Sequence, residues 1–161
     1  MIVIGIDPGK GGGVGVLRGK NITLRSTPIE PIGMASIIHS AQNTSYIENE
    51  KLKVYIENVH AFPTDGRSSA FKFGMNYGIW LGILGALKIE PIKVVPRVWM
   101  KSYSPLSKIK KERKNELKNI AQELFPDVRV TLKTSDAALI AFWGMSNEEW
   151  NTYNWYKQCN R

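Results

Sequence analysis

Met1-Ile-Val-Ile-Gly-Ile-Asp-Pro-Gly9, followed by Lys10-Gly-Gly-Gly13, is the stretch that decides the architecture of this 161-residue chain. Ile2 to Asp7 is a short run rich in β-branched side chains, which favour a pleated, buried strand. Pro8-Gly9 and the three glycines at 11 to 13 supply the turn chemistry that ends it. Val14 to Leu17 and Ile22 to Ser26 continue as two more strands. Arg18-Gly-Lys-Asn21 is the turn between them, so the chain is expected to open as a three-stranded antiparallel meander.

Beyond the meander, Pro28 and Pro31 break the pattern. Apolar positions at Ile32, Met34, Ala35, Ile37, Ile38 and Ala41 predict a first helix over Ile32 to Ala41, and the polar residues up to Lys51 read as a surface loop. Lys53 to Glu57 is the fourth strand. After a turn around Pro63-Thr-Asp-Gly66, Ser68 to Leu87 carries glycines at 74, 78, 82 and 85 among large apolar residues. Spacings of three and four place these glycines on one helical face, which predicts a buried core helix approached closely by another element. Ile92 to Val95 is the fifth strand, and a short helix is expected at Arg97 to Met100. Lys108 to Phe125 and Thr134 to Met145 are the last two helices. A mixed five-stranded sheet flanked by helices, an α/β architecture, follows from this order. Residues 1 to 146 form the expected domain, and 147 to 161 a C-terminal tail, helical or extended.

Composition bounds the chemistry. The chain carries 22 Lys+Arg against 14 Asp+Glu, a formal charge of +8, with a pI near 9.6, which favours a polyanionic partner. No apolar run reaches the roughly 18 residues a membrane span needs, and no basic segment followed by an apolar one opens the chain. The expectation is a soluble, cytoplasmic protein, in the host cell's cytoplasm if the source is viral. The single cysteine, Cys159, excludes an internal disulfide and a cysteine-based metal site. No His-Glu-X-X-His or clustered Cys/His pattern supports zinc. Gly9-Lys-Gly-Gly-Gly matches neither the Walker pattern nor Gly-X-Gly-X-X-Gly before a helix, so no nucleotide cofactor is expected. His39 reads as a structural residue of the first helix and His60 as a loop residue.

Three acids stand where a charge has no packing value. Asp7 ends the first strand, Glu57 closes Val54-Tyr-Ile, and Asp136 lies at the start of an otherwise apolar helix. Two have a plainer reading, Asp136 as a helix-capping acid and Asp7 as a turn residue before Pro-Gly, whereas Glu57, after three strand formers, is poorly placed for a turn. As a set, they have the composition of a site for hard divalent cations, which take oxygen ligands. Two such ions can flank a phosphodiester, one activating water and the other stabilising the leaving oxygen.

Ile4-Gly-Ile-Asp-Pro-Gly9, Val54-Tyr-Ile-Glu-Asn58 and Ser135-Asp-Ala-Ala-Leu-Ile-Ala141, in this order within a chain of this length, resemble the RuvC-type Holliday junction resolvases of the RNase H-like superfamily. They are most similar to the compact versions carried by bacteriophages. The resemblance spans Met1 to about Gly144. It implies an RNase H-like fold, a homodimer, and paired nicks in a four-way DNA junction by metal-activated water. Magnesium is the implied metal, with manganese able to substitute. Asp7, Glu57 and Asp136 match the family's catalytic, metal-binding acids. The family places a further ligand about one helical turn before the last acid, where this chain has Leu132 and Lys133. Lys133 is therefore a candidate fourth site residue, contacting phosphate rather than metal.

For a grip on DNA, Arg97 to Lys118 holds an excess of cations, which suits salt-sensitive phosphate contacts. Lys108, Lys110 and Lys111 are the first candidates, and Lys10 beside Asp7 is another. Phe62 and Arg67 correspond to where the family places side chains that stack into the opened junction; ordinary packing is the alternative for Phe62. Other readings of the chain are a less selective nuclease of branched or fork DNA, a junction-binding module without turnover, and an actin-like ATPase. The last would need a second phosphate loop and much more chain.

Overall fold

A computed structural model describes residues 1–9, 11–58 and 66–159, with side chains described to residue 149. Five strands form one mixed sheet in the order β3-β2-β1-β4-β5: β1 Ile2–Ile6, β2 Gly13–Arg18, β3 Asn21–Ser26, β4 Leu52–Glu57 and β5 Ile92–Val94. β1, β2 and β3 pair antiparallel, as the glycine-rich turns predict, whereas β1, β4 and β5 run parallel. The helices are α1 Pro31–Ile47, α2 Arg67–Ala86, α3 Pro96–Met100, α4 Lys110–Leu124 and α5 Ser135–Cys159, with a 3-10 turn at Lys101–Tyr103 after α3.

Strand alternation sorts the side chains between two cores. Ile2, Ile4, Ile6, Val54 and Ile56 pack with Met34 and Ile38 of α1 and Trp80 and Leu84 of α2. Val3 and Tyr55, one residue out of phase, pack with Trp99, Leu117 and the buried face of α5. The same alternation puts Asp7 and Glu57 on the α5 side of the sheet. Small residues let α5 settle there: Gly5 has the α5 backbone against it, and a Cβ at that position would stand 2.5 Å from the Ala141 nitrogen. Ala137, Ala138 and Ala141, all buried, complete the close approach.

Three expectations change. The first helix does not stop at Ala41 but runs to Ile47. Polar residues fit because the hydroxyls of Ser36 and Thr44 donate to the carbonyls of Ile32 and Ser40 (2.7 and 3.0 Å), and Gln42 Nε2 donates to the Leu87 carbonyl at 3.0 Å. Asn49, at φ 51°, turns the chain just beyond the helix end. His39 is exposed on this helix rather than built into the core. The second change concerns α2, which is not a buried core helix. Only Trp80 and Leu84 are buried, and a Cβ at Gly74, Gly78, Gly82 or Gly85 would meet nothing within 4 Å. The glycine face is open, and Phe71 and Met75 on the same helix are exposed. Third, the last helix, expected to end at Met145, runs from Ser135 to Cys159.

Candidate functional site

Asp7 and Glu57 meet because β1 and β4 are parallel and in register. Ile6 pairs with Ile56, so the next residue of each strand carries its acid out at the same, carboxyl-terminal edge of the sheet. Asp136 arrives from the other direction, in the first turn of α5 where that helix lies across β1 and β2. An acid is favoured there by the free N–H groups of the helix start. Both described hydrogen bonds to its carboxylate come instead from side chains: Ser135 Oγ donates to Oδ1 at 3.1 Å and Lys114 Nζ to Oδ2 at 2.6 Å.

The turn around Asp7 explains one glycine. The Asp7 N–H donates to the Gly13 carbonyl at 3.0 Å, and the Gly9 N–H donates to Asp7 Oδ1, also at 3.0 Å. This folds the loop over the carboxylate so tightly that a Cβ on Gly12 would stand 2.6 Å from the Asp7 carboxyl carbon. Gly12 serves the acid itself.

Glu57 is 7% exposed and Asp136 4%. Burial, with the nearby charge of Asp7, pushes Glu57 up to about 8, against the opposing pull of its hydrogen bond from Trp99. Burial also raises Asp7, assisted by Asp136 and opposed by the Gly9 N–H and by Lys114. Three carboxylates therefore share one desolvated, mutually repelling neighbourhood, an arrangement that calls for a cation. Among the described residues, Lys114 is the cation facing these acids: burial alone would lower it, yet Asp136, Asp7 and Glu57 together hold it above the ordinary lysine value.

This donor set fits a hard divalent ion, being all oxygen, buried or half-buried and in charge excess. As placed, no three acid, histidine or cysteine side chains among the described residues converge tightly enough to hold one. One Asp136 oxygen, Oδ2, is taken by Lys114.

Two residues of the site were missed by sequence reading. Trp99, wholly buried, donates from its indole Nε1 to Glu57 Oε1 at 3.0 Å. Its ring packs edge-on against Tyr103, whose hydroxyl donates to the Leu139 carbonyl of α5 at 2.7 Å. Glu57 is thus braced against the helix that carries Asp136. Lys114 was counted only within the basic stretch, and its tie to Asp136 crosses 22 residues of sequence. A tryptophan two residues after Pro-Arg and a lysine one helical turn after Lys110 carry no local signature of either contact.

Of the other candidates, Lys110 and Lys111 line a cleft of about 430 Å³ with Asn115, Leu132 and Lys114, the last of which reaches Asp136. Lys108 is exposed in the segment before α4, not on the helix, and Arg67 is exposed at the first position of α2. Lys133 is exposed in the turn before α5, with no described side-chain partner. Lys10, His60 and Phe62 lie outside the described residues. No helix among the described residues is long and apolar enough to cross a membrane.

No protein-family model matches the sequence, and no curated protein matches it. Solved structures do match. RuvC of Thermus thermophilus in complex with a Holliday junction substrate superposes with a TM-score of 0.58 at 17% identity, covering 89% of this chain and 91% of that one. A second Thermus thermophilus RuvC structure gives 0.56 at 19% identity, covering 89% and 92%. With the mixed sheet, its strand order and the helix layers on both faces, the chain has the RNase H-like fold of RuvC.

Proposed function

We propose that the chain is a metal-dependent endonuclease that nicks four-way DNA junctions by attack of activated water on a phosphodiester. The observation that carries this reading is the shared electrostatic neighbourhood of Asp7, Glu57 and Asp136 where β1, β4 and the start of α5 meet, linked through Lys114 to a cleft lined by Lys110 and Lys111. Asp7, Glu57 and Asp136 would hold the ion, magnesium or in its stead manganese. When bound, a divalent cation supplies Lewis-acid activation of water and stabilisation of the leaving oxygen. The chain's own part is electrostatic and positional. Trp99 fixes one Glu57 oxygen, and the Gly9 N–H fixes one Asp7 oxygen. Lys110 and Lys111 neutralise backbone phosphates at the mouth of the site, aided by Lys108, Lys10 and Arg67. Lys133 and Phe62 are candidates for a phosphate contact and a base contact.

Cutting a four-way junction in paired fashion asks for two sites on one scaffold, and a homodimer provides them. The open glycine face of α2, flanked by exposed Phe71 and Met75, supports this assembly.

The test is cleavage of a mobile four-way junction with magnesium. Wild type is expected to nick it in symmetric pairs. Asp7→Asn, Glu57→Gln and Asp136→Asn should bind the junction and leave it intact. Equal rates on linear, three-way and four-way DNA would replace junction selectivity with a broader nuclease, and full activity in Asp7→Asn would discard the site.

A further inference from the structure

Lys114 differs from the other lysines of α4. Lys110 and Lys111 are exposed and extend over the cleft, whereas Lys114, one turn further along the same face, turns inward with its side chain 38% exposed and its Nζ on Asp136. Its partner is 5% exposed, so the pair is a desolvated one on the carboxylate side. Losing one member of such a pair leaves an uncompensated buried charge. Lys114 also interacts electrostatically with Asp7 and Glu57. Among the described residues it is thus the counter-charge that all three acids share, and it also lines a cleft with Lys110 and Lys111.

A lysine has a flexible four-carbon stem and a compact charge, so its ammonium can change partner without any backbone movement. Asp136 Oδ2 is a hard oxygen donor that a divalent cation would need, and an ammonium at 2.6 Å stands in the way.

We propose that Lys114 is an exchangeable internal cation. It holds Asp136 in the metal-free protein, and on metal binding it is released into the Lys110–Lys111 cleft to take a DNA phosphate. Metal and DNA backbone thereby become coupled ligands, each strengthening the other by the same factor, as linkage requires. A site primed in this way assembles its full cationic wall only when both are present. The inference rests on reading the three acids as a metal site.

Two measurements on the full-length protein test it. First, Mn2+ binding without DNA is titrated for wild type and Lys114→Met, with Lys114→Arg as a variant that keeps the charge and circular dichroism as a check on folding. Lys114→Met is expected to bind Mn2+ more tightly by on the order of tenfold, with Lys114→Arg close to wild type. Equal or weaker binding by a folded Lys114→Met overturns the exchange. No Mn2+ binding by wild type or any variant overturns instead the metal-site reading beneath it. Second, the salt dependence of junction binding is compared in EDTA and in Ca2+. Release of Lys114 predicts that the wild-type slope of log affinity against log salt exceeds that of Lys114→Met by about one phosphate contact in Ca2+, and matches it in EDTA. The same difference in both conditions would place Lys114 on DNA throughout, and no difference in either would keep it on Asp136; both results refute the proposal.

Discussion

The indole N–H of Trp99 donates to Glu57 Oε1 at 3.0 Å, and both side chains are buried. A donor to the charged form favours ionisation, which in this case opposes burial and the charge of Asp7. Trp99→Phe keeps an aromatic ring and removes the donor. Glu57 should then hold its proton more firmly, and a proton there competes with any divalent cation. Mn2+ affinity near pH 7 is expected to drop by on the order of tenfold and to recover as the pH is raised. A Trp99→Phe protein that is merely less stable, with an unaltered pH dependence of Mn2+ binding, would reduce Trp99 to a packing residue.

Glu57 itself carries a stability prediction. Its folded value, about 8, lies above its ordinary value of 4.5, so between these limits the unfolded chain has released a proton that the folded chain keeps. Folding then binds protons, and stability falls as pH rises through this window. Metal-free wild type should lose stability from about pH 4.5 to about pH 8, and Glu57→Gln should lose less. At pH 8 the variant is expected to be the more stable, by on the order of a few kcal/mol. Denaturant titrations of both proteins at pH 5 and pH 8 decide it; parallel pH dependences would contradict the buried, raised carboxyl.

How much of this was legible in the sequence depended on whether a feature is local. The strands of the meander, and the positions of Asp7 and Glu57 at strand ends, are written in runs of neighbouring residues and were read to within a residue or two. The glycines of α2 show the limit. Their helical spacing is real, but spacing says which residues share a face, not whether anything covers it. The polar end of α1 reads as loop because its residues are polar, whereas the Thr44 hydroxyl bonds back to the Ser40 carbonyl within the helix. Lys114 and Trp99 were invisible as site residues because each owes its role to a partner more than 20 positions away.

Close approach of α5 to the sheet is what carries Asp136 to Asp7, and Gly5 permits it. A methyl group at Gly5 would run into the Ala137 carbonyl and stand 2.5 Å from the Ala141 nitrogen, both backbone atoms that cannot rotate aside. Gly5→Ala should therefore lift the helix off β1, destabilising the fold by about 1–3 kcal/mol or more and weakening cleavage in parallel. Gly12→Ala crowds only the Asp7 loop, so it should cost cleavage far more than stability. Thermal unfolding and junction cleavage measured on both variants separate the two effects. Wild-type cleavage in Gly12→Ala would show that the tight loop is not needed to hold the carboxylate.

Gly78 is the position from which the α2 face can be tested without disturbing the protomer. A Cβ there meets nothing within 4 Å, and a glycine inside a helix costs roughly 0.5–1 kcal/mol relative to alanine. In an isolated protomer, Gly78→Ala should therefore be slightly stabilising and Gly78→Glu neutral. If a second copy packs on this face, both side chains enter a contact built for glycine, and the glutamate adds a buried charge. Wild type is then expected to sediment as a dimer, Gly78→Ala as a weaker one and Gly78→Glu as a monomer that unfolds with normal cooperativity. Paired nicking should decay with the dimer, leaving single nicks in Gly78→Glu, because each Asp7–Glu57–Asp136 cluster lies within one protomer. A Gly78→Glu protein that sediments like wild type would move the contact to another surface.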